Sequence, residues 1–267
     1  MSVQRTHRGA PVATLLATLL CASMGAAEES GKVLAGAKLY DALYASGGYP
    51  MRNTTRAAEL LGAIQGLKTG HSISSVLDVG CSWGVAVNYL WGMGFKAAGV
   101  DISTIAISRA REVFGQDDVK CNGGPCFTRS SATKLPMADH SFDAIVSSDV
   151  LEHIEPVDVD TAVAELARIA SKLILLKIPR QADPIDGKQV HRLGGLQNKS
   201  ADAAGHSEYD GKLPKNLHAT MKSPTWWIDR FKATGHGWRL LKSIPFPKGR
   251  PWLCCSFVLT REPAAGP

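Results

Sequence analysis

Residues 76–90 read VLDVGCSWGVAVNYL, and this stretch constrains the fold of the chain more than any other. Its first residues, Val76 to Val79, form an apolar run of the kind buried in a sheet covered on both faces. Gly80 breaks the run. After Gly84 the apolar residues Val85, Val87, Leu90 and Trp91 recur at helical spacing. Strand, glycine turn and helix together aim free backbone N–H groups at a helix N-terminus, where a nucleotide or a carboxylate can be held. Gly80 and Gly84 permit close backbone approach around Cys81. The same pattern also serves as a plain βα turn in any α/β domain, so the neighbouring residues must decide.

They point to a nucleoside. Phe95 to Val100 reads as a second buried strand ending at Asp101, twenty-one positions after Gly80. An acid at that place can accept hydrogen bonds from both hydroxyls of a ribose. A dinucleotide fingerprint would continue with two further glycines, whereas Ser82 and Val85 stand at those positions. This argues against NAD or FAD.

The series Asp78, Gly80, Ser82 and Gly84, with Asp101 and Ile102 beyond, resembles class I S-adenosylmethionine-dependent methyltransferases, in particular the type 11 group. The resemblance is close over residues 75–154 and looser over 162–261. It implies that Asp78, Gly80, Cys81 and Gly84 surround the methionine part of the cofactor, that Asp101 grips the ribose and that Ile102 packs on adenine. Ser82 replaces the family's middle glycine, and its hydroxyl can serve a turn. Ser131-Ala132-Thr-Lys-Leu-Pro resembles the family's adenine loop, with Ser131 in place of an acid. One remaining hydrogen bond to adenine is open to it, as is a plain loop role.

Ser148, at the end of the strand SFDAIVSS, is expected among the cofactor-binding residues, and the resemblance places the methyl acceptor just beyond it. Asp149, Glu152 and His153 follow it directly. In a helical turn they would fall at i, i+3 and i+4 and share one face. With His218, on the segment expected to fold back over the pocket, they resemble the divalent-ion ligands of small-RNA 2'-O-methyltransferases. The segment also resembles one in ubiquinone-pathway O-methyltransferases. That resemblance implies Asp149, Glu152, His153 and His218 as ligands of Mg²⁺ or Mn²⁺. Without an ion, His153 or His218 would act directly as the base, with Glu152 beside them.

The remaining chain reads as alternating helices and strands. Helices are expected over 32–45, 54–67, 84–92, 103–114, 159–170 and 223–234, and strands over 76–80, 95–100, 126–130, 143–148, 172–178, 238–244 and 252–260. The alternation matches the plan that the resemblance implies, an α/β, Rossmann-like, doubly wound sheet of seven strands whose last strand runs antiparallel. About forty residues after Pro179 break the alternation, as a lid or binding insertion would. At 267 residues, 45% of them hydrophobic, the chain can bury one full core.

Residues 1–27 stand apart from the single domain expected over 28–267. Arg5 and Arg8 precede an apolar run through Leu20, closed by Gly25, Ala26 and Ala27. That is the pattern of a secretory signal. An organellar transit peptide and an uncleaved anchor are the alternatives, and the run is too short for a secure membrane span. Cys121 and Cys126 flank a turn that can bring their sulfurs within disulfide range, and Asn53 and Asn198 begin acceptor triplets for N-glycosylation.

Residues 172–250 carry 15 basic and 6 acidic residues, against 12 basic and 17 acidic over 28–171. The basic half should hold the acceptor, which favours a small-molecule or glycan substrate that is anionic; scattered solvated lysines would give the same count. Basic residues are not interleaved with aromatics there, which argues against nucleic acid. Of Trp226 and Trp227, one should be core and one partly exposed. The combined expectation is methyl transfer to a hydroxyl of a sugar, glycan or other small molecule. An N-methyltransferase or a non-catalytic binding protein on the same fold are the alternatives.

Overall fold

The computed structural model describes residues 34–45, 62–114, 127–179, 214, 216–244 and 256–261. Residues 1–27, the cysteines at 121 and 126, Cys254, Cys255, Asn53, Asn198 and nearly all of the expected insertion near 180–220 lie outside them.

The elements run α1 (Gly36–Ala45), β1 (Ser75–Val79), α2 (Val85–Gly92), β2 (Lys96–Asp101), α3 (Thr104–Phe114), β3 (Phe127–Arg129), β4 (Phe142–Ser148), α4 (Val159–Ile169), β5 (Ala170–Lys177), α5 (Pro224–Ala233), β6 (Trp238–Ile244) and β7 (Ser256–Arg261). They form one seven-stranded sheet in the order β3-β2-β1-β4-β5-β7-β6. Strands β1 to β5 pair in parallel, while β7 runs antiparallel to both β5 and β6. The sheet is the Rossmann-like one expected.

Alternation along the strands builds two core layers, because successive side chains leave a strand on opposite faces. Leu77, Ile145, Ile174 and Leu176 lie on one face with α4 and with Trp227, Ile228 and Phe231 of α5. Val76, Ala144, Val146, Leu173 and Leu175 lie on the other with Val87 and Leu90 of α2 and Ile107 and Ala110 of α3. Both faces are covered, so the central strands read as continuous apolar runs rather than as alternating ones.

Local chemistry sets several boundaries. Ser223 caps α5 by accepting from Trp226 N at 3.2 Å, with Pro224 in the first turn. Trp227 is core, while Trp226 lies partly exposed between the cations of Lys222 and Arg230. The fifth strand begins at Ala170, two residues before the expected start, because α4 ends at Ile169 and the chain enters the sheet without a loop. The expected helical turn over Asp149, Glu152 and His153 is instead a short 3-10 turn at Leu151–His153, and Asp149 precedes it with a φ of 57°. A left-handed residue at that point breaks helical continuity, so the three side chains do not share a helix face.

Candidate functional site

The C-terminal ends of β1, β2 and β4 open into a cleft of about 680 Å³. This is the edge where parallel α/β sheets bind ligands. Its floor is the β1–α2 turn. Gly80 N and Cys81 N both donate to Val100 O, at 2.8 and 2.9 Å, which pins the turn onto the end of β2. Gly80 has a φ of 83°, and a Cβ there would collide with Val150 of the next cleft wall. Gly84, at a φ of 78°, precedes α2 from behind the cleft, where a Cβ would run into the Phe127 ring. Ser82 takes the left-handed conformation too, at a φ of 51°, in the place of the glycine the family favours. Serine accepts the strain because Asp101 Oδ2 receives its backbone N–H at 2.9 Å.

Asp101 therefore has a structural task besides any ligand. Its Oδ1 accepts from Ser103 N at 2.9 Å, so one carboxylate braces both the glycine turn and the start of α3. Burial raises its pKa to about 6 against the lowering effect of these N–H bonds. Asp78 lies in the same cleft, and its pKa is pushed up to about 7 by burial and by the charge of Asp101. Burial and the two carboxylates also drive the Cys81 thiol upward, so it is a neutral wall rather than a nucleophile. Two buried acids with raised pKa values form a site that a cationic ligand with hydroxyl donors would stabilise. A sulfonium nucleoside with its ammonium group and ribose diol fits that demand.

Ile102, Ser131, Ala132, Ser148, Asp149 and His153 line the cleft as well. Ser131 Oγ lies 2.8 Å from Thr133 Oγ1 and accepts from Thr133 N at 3.2 Å, so it organises its own loop while facing the cleft. Asp149 turns away from the histidines. Its Oδ2 sits 3.2 Å from the ammonium of the buried Lys177 and accepts from Ser148 Oγ at 2.8 Å.

His153 and His218 meet, although sixty-five positions separate them. Three bonds lay the segment around residue 218 along the 3-10 turn. They run from Thr220 N to Glu152 O at 2.9 Å, from Thr220 Oγ1 to Ile154 O at 2.7 Å and from His153 Nδ1 to Leu217 O at 3.0 Å. The two imidazoles stand edge to face at 4.8 Å, with Glu152 fully buried beneath them. The structure thus brings Glu152, His153 and His218 together and leaves Asp149 outside the group.

Sequence reasoning missed the cover of the cleft. Leu39, Tyr40 and Tyr44 of α1 line it, and Tyr40 packs edge-on against His153. Asp41 ties this helix down: its Oδ1 accepts from Ser103 Oγ and from Ile105 N, at the N-terminus of α3. An amphipathic helix was legible at α1, but nothing in its pattern says which surface it covers. Lys177, a charged residue at the end of an apolar strand, was the available signal for the ion pair with Asp149.

A doubly wound seven-stranded sheet with β7 antiparallel, a glycine turn after β1 and an acid at the tip of β2 defines the class I S-adenosylmethionine-dependent methyltransferase architecture. Residues 77–172, a little over a third of the chain, match the family model described as Methyltransferase domain. Over 94 residues it is 30% identical to the ubiquinone biosynthesis O-methyltransferase of Nitrosospira multiformis, a match covering 35% of this chain and 38% of that relative. The chain thus spans little more than a third of the curated relative's length. Among solved structures, magnesium protoporphyrin IX methyltransferase from Synechocystis PCC 6803, with bound SAH, aligns at a TM-score of 0.51 and 15% identity. That alignment covers 78% of this chain and 84% of the other. A TehB-like SAM-dependent methyltransferase from Corynebacterium glutamicum aligns at 0.51 and 16% identity, over 82% and 99%. At these identities the structural matches speak for the fold alone. No described helix is long and apolar enough to cross a membrane.

Proposed function

We propose that the protein transfers a methyl group from S-adenosylmethionine to a hydroxyl oxygen of a small-molecule acceptor. The observation that carries this reading is the two-part cleft. One part holds the Gly80–Ser82 turn, Asp78 and Asp101, which suit a cationic nucleoside, and the other holds His153, Tyr40 and Tyr44. The cofactor, when bound, supplies a methyl carbon already made electrophilic by the sulfonium. The chain has then to align an acceptor, exclude water and receive or displace the hydroxyl proton. Asp101 and the backbone of the turn do the holding. Helix α1 covers the acceptor side, and its tyrosine rings offer a wall on which a sugar or another ring can stack.

The excess of basic residues over 172–250 supports an anionic acceptor. Mg²⁺ or Mn²⁺ would enter this reading only beside the acceptor, at Glu152, His153 and His218. The apolar leader over residues 1–27 supports entry into the secretory pathway, and mass spectrometry of the native N-terminus tests it: an intact leader overturns that placement.

Calorimetry with S-adenosylmethionine and S-adenosylhomocysteine, followed by transfer of labelled methyl to pools of hydroxylated small molecules, tests the activity. Binding of both nucleosides with label recovered as an ether is expected. Failure to bind either one would overturn the reading, label recovered only on nitrogen would move it to N-methylation, and binding without turnover would favour a non-catalytic protein.

A further inference from the structure

We propose that Arg168 and Glu165 of α4 are positioning residues that shape the nucleoside side of the cleft through the loop between β3 and β4. Residues 130–141 of that loop carry no strand or helix, so no backbone ladder fixes their path. The start of the loop is tied to Asp101, whose carbonyl oxygen accepts from Ser130 N at 2.9 Å. Ser131, Ala132 and Thr133 then form cleft wall in company with Asp101 and Ile102. A nucleoside whose ribose lies on Asp101 has its base against this wall. The proposal rests on the reading of the cleft as a cofactor site.

One guanidinium holds the segment just beyond the wall. Arg168 Nε and Nη2 donate to the two carboxylate oxygens of Glu165, at 2.9 and 3.0 Å. Nη1 donates to Met137 O and to Asp139 Oδ1, both at 2.7 Å, and Nη2 donates also to Leu135 O at 3.3 Å. These bonds use all five N–H donors that an arginine possesses. Glu165 Oε2 in turn accepts from Leu135 N at 2.7 Å, and the backbone carbonyl of Arg168 accepts from His140 N at 2.9 Å. Both backbone polar groups of Leu135 are thus held by one i, i+3 ion pair on α4. The Leu135 side chain lies in the same buried layer as Val159, Val163 and Leu166 of that helix.

Neither Arg168 nor Glu165 lines the cleft, so their influence on a ligand passes through the loop. Helix α4 is a packed base for it: Val159, Val163, Leu166, Ala167 and Ile169 are buried in the core, and the helix enters β5 without a loop. A cleft wall anchored to such a helix is ordered before the ligand arrives, which spares binding the entropy of fixing a free loop. The side chains of Arg168 and Glu165 are 25% and 20% exposed, whereas that of Asp139 is 64% exposed. Solvent screens the outer partner, so Asp139 contributes least. Lysine at 168 would keep the charge, but a single ammonium lacks the planar fork that spans Glu165, Leu135 and Met137 together.

The test is calorimetry on the full chain with S-adenosylhomocysteine and with S-inosylhomocysteine, in which hypoxanthine replaces adenine. Arg168→Gln, Arg168→Lys and Glu165→Ala should each weaken S-adenosylhomocysteine binding about tenfold, as loss of a buried anchoring bond implies. Each should also lower the ratio of S-adenosylhomocysteine to S-inosylhomocysteine affinity, which a general loss of stability leaves alone. Asp139→Asn, and the core change Phe231→Leu away from the loop, should keep both affinities within about twofold. Thermal melts show which variants fold, and Arg168→Lys or Glu165→Ala carries the test where Arg168→Gln does not. S-adenosylhomocysteine affinity unchanged in the folded variants, an unchanged ratio, or the same losses in Phe231→Leu would each overturn the proposal. Failure of the unaltered chain to bind either nucleoside would remove the cofactor reading along with it, an outcome distinct from binding that ignores Arg168 and Glu165.

Discussion

Replacing Asp78 by Asn should stabilise the ligand-free protein at alkaline pH and leave it unchanged in acid. Asp78 is buried at the end of β1, where loss of solvation and the neighbouring charge of Asp101 raise its pKa from 3.8 to about 7. The folded state therefore binds a proton between pH 4 and 7 that the unfolded state has already released. By linkage, stability falls as pH rises through that window, and the penalty is fully developed above pH 7. A shift of this size corresponds to a ceiling of about 4 kcal/mol, at 1.4 kcal/mol per pH unit. Asparagine keeps the shape and removes the charge, so at pH 8 the variant should be more stable than the parent by one to a few kcal/mol, on the order of that ceiling or below. At pH 4 the two should agree within about 0.5 kcal/mol. Urea unfolding of the apo forms at intervals from pH 4 to 8 measures the difference. The cofactor reverses the ranking: its positive charge favours ionised Asp78, so S-adenosylmethionine affinity of the parent should rise from pH 6 to 8, while that of Asp78→Asn stays lower and rises less, through Asp101 alone. Parallel stability profiles for parent and variant across the whole range would refute the reasoning.

Two further substitutions probe the same framework. Asp101→Ala removes the acceptor of the N–H groups of Ser82 and Ser103, both at 2.9 Å. It should weaken S-adenosylhomocysteine binding at least tenfold and cost roughly 1–3 kcal/mol for each buried donor left unpaired; unchanged affinity by calorimetry would show that the ribose is held elsewhere. Asp143 is desolvated, yet bonds from Lys172, Ser74 and Ser75 prevail and lower its pKa to about 2. Its contribution to stability is present above pH 4 and is lost as pH falls toward 2, so Asp143→Asn should flatten the acid limb of a thermal-melt profile; an unchanged limb would count against these bonds as its cause.

The fold and the glycine turn that floors the cleft were legible in the chain because their signals are local. An apolar run, a glycine turn and a helical repeat within fifteen residues specify a βα unit, and one sheet spacing further on places Asp101 at the cleft. Residues 180–213 carry no comparable period and fall outside the described structure. What tertiary structure alone decided concerns residues distant in sequence. Asp149, Glu152 and His153 were grouped by a helical spacing that a left-handed residue at 149 abolishes. Lys177, from the neighbouring strand, then drew Asp149 away by charge, while the backbone bond from Thr220 N to Glu152 O and the bond from His153 Nδ1 to Leu217 O brought His218 to Glu152. Helix α1 covers the cleft because Asp41 reaches the start of α3, sixty-odd residues later. Local periodicity reports which face of an element is apolar; which other element meets that face depends on the packing of the whole chain, and there the meeting of Glu152, His153 and His218 was decided.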